Sequence, residues 1–112
     1  MTLSRRKWGY FLTLWSAKAF KVKLLWFKAG AACSMQKHFK RNELWLFIFG
    51  QGDMGIGAEP FNFHPENVYD MRQGDFVEVL KERWHCFRAR RTTLILEIQT
   101  GECREDDIER VV

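Results

Sequence analysis

Acidic residues are missing from the first 42 positions of this 112-residue chain, and proline and cysteine are scarce throughout. Two prolines and eight glycines exclude a collagen-like or low-complexity class. The three cysteines, Cys33, Cys86 and Cys103, are odd in number and irregular in spacing, so they form no disulfide framework. No C-x-x-C pair offers a short-spaced structural zinc site. Three free thiols in a reducing, cytoplasmic compartment are the simplest expectation. Long apolar runs are also absent. The longest, Leu44 to Phe49, has six residues, against the roughly 20 a membrane-spanning helix needs. Arg5, Arg6 and Lys7 are followed by no apolar run, because Lys18, Lys21 and Lys23 interrupt it, so no secretory leader is expected.

What is present is globular: 46% hydrophobic and 29% charged residues, expected to form one domain over residues 1–112 without linker or repeat. The charge is lopsided. Residues 1–42 carry ten basic side chains and no acid, whereas residues 43–112 carry eight basic and fourteen acidic ones. A basic half invites a nucleic-acid or acidic-partner reading. The basic residues stand singly among apolar ones, however, and form no Lys/Arg-rich block. Pairing of the two halves within a fold or dimer is therefore preferred, and nucleic acid is not the expected partner.

Period-two patterning dominates. Phe20, Val22, Leu24 and Trp26 alternate with Lys21, Lys23 and Leu25, predicting a strand with one buried and one mostly polar face. Glu43 to Phe49 is nearly all apolar and predicts a central strand covered on both faces. Trp8–Trp15, Val77 with Val79, and Leu94 with Leu96 and Ile98 add further strands. Short runs at Met54–Ala58, Phe61–Phe63 and Trp84–Arg88 fill the gaps, and His64 is expected in a loop. Turn signals at Ala29-Gly30, Gly50–Asp53, Glu59-Pro60 and Gln73–Asp75 separate them. The glycines from Gly50 to Gly57 match no phosphate-loop spacing and read as hairpin turns. The class predicted is an all-β antiparallel sandwich or barrel, with a short helical turn near Arg104–Arg110.

One stretch carries chemistry. Gln36 and His38 are two apart and share a face of an extended chain. Glu43 opens the next run, and His85 follows in a later strand. Two imidazoles, a carboxylate and an amide oxygen suit a divalent first-row metal, but on spacing alone packed or surface histidines are the favoured reading.

The wider pattern favours the metal. The order Arg6-Lys7-Trp8-Gly9, Phe20-Lys21-Val22-Lys23, then Ser34, Gln36, His38, Arg41, Glu43 and Trp45, then Gly74-Asp75-Phe76-Val77, His85, Leu94–Gln99 and Glu105-Asp106-Asp107-Ile108-Glu109-Arg110 resembles the cupin domain of type II mannose-6-phosphate isomerases. That domain is often fused to mannose-1-phosphate guanylyltransferase. The resemblance implies a double-stranded β-helix, or jelly roll, holding a divalent zinc, manganese or iron ion on Gln36, His38, Glu43 and His85. It also implies aldose–ketose isomerisation of a sugar phosphate. The chain departs from the family's H-H-H at His38-Phe39-Lys40 and from its I-P-P-G turn at Val79-Leu80-Lys81-Glu82. Cys86 stands where an arginine usually follows the last histidine.

Such a reaction needs cations for the phosphate and a base for the proton. Lys40 and Arg41 are the catalytic candidates, with Arg83, Arg88 and Arg90 as further phosphate contacts and Lys40 or Glu97 as the base. Arg88 and Trp45 are the substrate-binding candidates. Trp45, Trp26 and Trp84 fit a sugar-stacking role, but core packing is favoured for each. Cys86 reads as a packed small side chain rather than a ligand. A homodimer through edge strands is expected. A non-catalytic binding module remains the alternative, resting on the altered residues around the site.

Overall fold

A computed structural model describes residues 1–60 and 68–111. The expected strand at Phe61–Phe63 and the loop at His64 lie outside the described residues. Among the described residues, alternating sequence becomes eleven strands: β1 (Thr2–Arg6), β2 (Gly9–Ser16), β3 (Phe20–Phe27), β4 (Met35–Lys37), β5 (Arg41–Phe49), β6 (Gln51–Gly57), β7 (Val68–Arg72), β8 (Phe76–Val79), β9 (Trp84–Ala89), β10 (Thr93–Gly101) and β11 (Glu109–Val111). They form a six-stranded sheet, β1-β2-β3-β10-β5-β8, and a five-stranded sheet, β11-β4-β9-β6-β7, with antiparallel neighbours throughout. No described helix is long and apolar enough to cross a membrane.

The core lies between the sheets. Leu25, Phe27, Trp45, Phe47 and Ile95 come from one side, and Met54, Met71, Phe87 and Ala89 from the other. Trp8 stacks on Phe27 with centroids 4.1 Å apart, and Phe27 meets Phe87 edge-on at 5.0 Å. Such aromatic pairs add to simple area burial.

The facing of β3 is the reverse of the sequence expectation. Lys21 and Lys23 are buried with Leu25 and Phe27, while Phe20 and Trp26 are exposed. Likewise β10 buries Thr93, Ile95, Glu97 and Gln99, leaving Leu94, Leu96 and Ile98 on the half-buried outer face. Nor is β5 covered on both faces: Glu43, Trp45 and Phe47 point inward, while Leu46, Ile48 and Phe49 are exposed. The reason lies inside. The barrel encloses a cavity at one end whose wall mixes Trp8, Phe11 and Trp45 with Lys23, Gln36, His38, Arg41 and Glu97, so burial there does not select for apolar side chains alone.

The expected helical turn near the C-terminus is absent. A short turn at Glu105–Asp106 leads into β11 instead, which pairs with β4. The charged side chains that suggested a solvated helix are drawn into tertiary contacts. The Asp107 carboxylate accepts hydrogen bonds from the backbone N–H groups of Phe39 (3.0 Å) and Lys40 (2.8 Å). Glu105 reaches Lys21 and Lys23. The two charge halves do pair within the fold, through these contacts and through Lys37 with Glu109 and Lys40 with Glu102.

Candidate metal centre

The inner face of β5, the end of β4 and β9 bring three potential ligands together. His38, Glu43 and His85 are all buried, and one donor atom from each lies within 4.8 Å of the others. Nε2 of His38 is 3.2 Å from Glu43 Oε2, and Nε2 of His85 is 3.7 Å from Glu43 Oε1. Gln36 stands opposite His85 in the β4–β9 register and lines the same cavity.

Each ring is oriented by its other nitrogen. His38 Nδ1 lies 2.7 Å from the Asp107 carbonyl and His85 Nδ1 lies 3.2 Å from the Arg83 carbonyl. A carbonyl oxygen only accepts, so both rings carry their proton on Nδ1 and present an Nε2 lone pair inward. Metal-ligating histidines are commonly held this way. Burial lowers the pKa of both histidines, that of His38 to about 4, so both are neutral near pH 7. Burial opposes ionisation of Glu43, but the neighbouring imidazoles, the Arg41 guanidinium and the Trp45 N–H outweigh it and hold the carboxyl at about 2.

Arg41 supplies the cluster's positive charge. Its Nε donates to Glu43 Oε2 at 2.9 Å, and its Nη2 lies 3.0 Å from His38 Nε2. Trp45 Nε1 donates to Glu43 Oε1 at 2.9 Å. His85 Nε2 is the exception in the cluster: it is buried and has no hydrogen-bond partner among the described residues. An unsatisfied buried lone pair costs free energy and calls for an explanation. Two neutral imidazoles and an ionised carboxylate are a donor set for a first-row divalent ion, so the residues present fit such a metal.

The centre opens into a cavity of about 570 Å³, a volume typical of small-molecule sites. His38, Arg41 and Trp45 line it, as do Lys23, Glu97 and Glu105. Burial and the Glu43 charge push the Glu97 carboxyl up to about 8. Gln99 Nε2 donates to Glu97 Oε1 at 2.6 Å.

Of the residues singled out in the sequence, Gln36, His38, Arg41, Glu43, Trp45, His85 and Glu97 therefore meet at one end of the barrel. Lys40 and Arg88 do not. Lys40 is exposed beside Glu102, 3.7 Å away, and Arg88 is exposed on the side of β9 that faces away from the cavity. Arg83 and Trp26 are exposed too, and Arg90 pairs with Asp53 and Asp70. Cys86 is a buried thiol whose pKa is raised, chiefly by its hydrogen bond with Cys33. Lys21, Lys23 and Glu105 were not singled out. The one available signal was that Leu25 and Phe27 share the lysines' face of β3.

Residues 2–112 match the model of the family described as mannose-6-phosphate isomerase C-terminal. The chain belongs to that family. A mannose-1-phosphate guanylyltransferase of Sinorhizobium fredii is 30% identical over 114 residues, which cover 95% of this chain and 20% of that protein. The chain thus spans about a fifth of the length of the curated relatives it matches. KdgF from Halomonas sp. superposes with a TM-score of 0.76 at 12% identity, over 95% of this chain and 92% of that one. The Schizosaccharomyces pombe Cnp3 cupin domain superposes at 0.71 with 11% identity, over 91% and 69%. The fold of this family member is the cupin double-stranded β-helix.

Proposed function

We propose that this cupin domain binds a divalent zinc, manganese or iron ion through His38, Glu43 and His85, with Gln36 beside them, and isomerises a sugar phosphate between aldose and ketose. The observation that carries the reading is His85 Nε2, buried next to Glu43 and His38 and without a hydrogen-bond partner among the described residues. When bound, the metal supplies a Lewis acid that polarises the substrate's carbonyl and hydroxyl oxygens.

The remaining work falls to the chain's own side chains. Glu97, its carboxyl raised to about 8, takes and returns a proton at its carboxylate oxygens near neutral pH. Gln99 orients that carboxyl by its hydrogen bond. Arg41 fixes the rotamer of Glu43 and keeps positive charge at the cavity wall. Trp45 holds the second Glu43 oxygen and forms an apolar wall behind it.

The test is metal content by elemental analysis together with mannose 6-phosphate turnover, in the wild type and a His38→Ala, His85→Ala double variant. About one ion per wild-type chain and measurable turnover, both lost in the variant, are expected. A wild type that takes up no zinc, manganese or iron overturns the metal reading. A loaded protein that does not isomerise mannose 6-phosphate or its close relatives leaves a binding module.

A further inference from the structure

Two lysines sit inside the barrel where the sequence placed them in solvent. Lys21 and Lys23 are 8% and 5% exposed, on the inward face of β3. Both ammonium groups converge on one atom, Oε1 of Glu105, at 3.0 and 2.8 Å. Lys23 is further fixed by the Phe11 ring, 4.4 Å below its Nζ. Glu105 differs in kind: its side chain is 60% exposed, on the loop joining β10 to β11. Two buried, immobilised cations thus share a single exposed anion. Glu97, opposite Lys23 in the strand register, is largely protonated near pH 7, so Lys21, Lys23 and Glu105 sum to about one positive charge at a cavity that Arg6, Lys7 and Arg110 also line. Burial works against ionisation of Glu105, yet hydrogen bonds from Lys23 and Lys21 outweigh it and hold the carboxyl at about 2, so it is a full anion at neutral pH.

A buried ammonium must keep a partner, because an unpaired charge out of water is costly. The exposed carboxylate has no such constraint, since water takes over its hydrogen bonds when it leaves. A phosphate monoester carries about 1.5 to 2 negative charges near pH 7 and three acceptor oxygens, a better match for two ammonium groups than one carboxylate oxygen.

We propose that Lys23, in the lining of this cavity, and Lys21, which lies behind Glu105 on the same carboxylate oxygen, form a phosphate subsite, and that Glu105 is its resident counter-ion, displaced when the phosphate of a phosphate monoester enters. The subsite shares its cavity with His38 and Arg41, so a ligand phosphate on the lysines directs the rest of the molecule toward the metal cluster. The sugar attached to that phosphate rests on the function proposed above. The phosphate subsite itself does not.

The experiment uses the full chain, treated with chelator so that phosphate has no metal to bind. Inorganic phosphate is titrated by calorimetry and by thermal shift into the wild type, Glu105→Gln and Lys23→Met. Removing the competing carboxylate is expected to tighten phosphate binding about tenfold or more and to enlarge the phosphate-induced rise in Tm. Lys23→Met is expected to abolish both. Glu105→Gln with unchanged or weaker phosphate binding, or undiminished binding in Lys23→Met, overturns the proposal and leaves Glu105 a staple for its loop. If Glu105→Gln unfolds alone, restoration of its folding by millimolar phosphate supports the proposal and failure to restore it overturns it. If Lys23→Met does not fold, Lys21→Met is read by the same criterion. A second arm compares inorganic phosphate with mannose 6-phosphate on metal-loaded protein. Equal affinities there remove the sugar-phosphate reading while the chelator arm still decides the subsite.

Discussion

The two ends of the same three strands differ more than the two sheets do. At one end of β3, β10 and β5, the inward side chains Leu25, Ile95 and Phe47 stand side by side and make a dry core. Two residues further along each strand comes the row Lys23, Glu97 and Trp45, and then the row Lys21, Gln99 and Glu43. Nothing in the backbone changes between these rows. One pleated scaffold therefore serves as core and as site, and side-chain identity alone decides which. The apolar rows hold the sheets at a spacing that keeps the polar rows buried and fixed, which is what a preorganised site needs.

The strongest way to break the comparison is at the apolar end. Phe47→Ala is expected to cost about 3–5 kcal/mol in urea unfolding, through lost burial and a cavity. Ile48→Ala, its exposed neighbour on the same strand, is expected to cost less than about 1 kcal/mol. At the polar end the loss is of function as well as of stability. His85→Ala is expected to weaken zinc binding on the order of 100-fold or more by equilibrium titration. It also lowers the metal-free Tm, because a fully buried ring that packs on Trp45 and bonds the Arg83 carbonyl is lost, even though its Nε2 itself is unsatisfied.

The pH dependence sharpens the same contrast. Folding raises the Glu97 carboxyl from 4.5 to about 8. Its contribution to stability is therefore complete below about pH 4.5 and is lost as pH climbs through about 8. Because folding lowers the pKa of His38 and His85, their contributions rise with pH up to about 6.5 and oppose that of Glu97 there. Between about pH 6.5 and 8 chelator-treated wild type should show a falling Tm, which Glu97→Gln should flatten. A smaller gain is expected at the turn before β9. Glu82 has φ +66°, where the family turn carries glycine, and its N–H donates to the His38 carbonyl at 2.6 Å. Glu82→Gly is expected to stabilise by about 1 kcal/mol in the same unfolding assay, since the left-handed conformation costs a side-chain-bearing residue more than the glycine loses in entropy. The smallest effect belongs to the exposed Arg72–Asp70 pair, where Arg72→Ala should change stability by less than about 0.5 kcal/mol.

The longer strands, most turns and the proximity of His38, Glu43 and His85 were legible in the sequence, whereas β1, β4, β7 and β11 were not. Period-two patterning fixes which residues share a face, and ligand spacing on such a face survives folding. Which face turns inward was not legible. On β3, Phe20, Val22, Leu24 and Trp26 outweigh Lys21, Lys23 and Leu25 in hydrophobicity, so the inference that burial follows apolar character pointed outward. Following the alternation to Phe27 would have tied the lysines to a buried aromatic. The helical turn failed for a related reason. Glu105 and Asp107 looked like a solvated charged face because their partners, Lys21 with Lys23 and the turn at Phe39–Lys40, lie more than sixty positions away.

The separation of basic and acidic halves also bears on how the chain folds as it is made. The first 42 residues emerge with ten positive charges and none negative. The edges of β3 cannot both be satisfied until β10 has been synthesised, and the ammonium groups of Lys21 and Lys23 wait longer still, for Glu105. Contacts across such distances in sequence make folding slow. The basic first 42 positions therefore have their full set of strand and charge partners only once the 93–111 segment is in place.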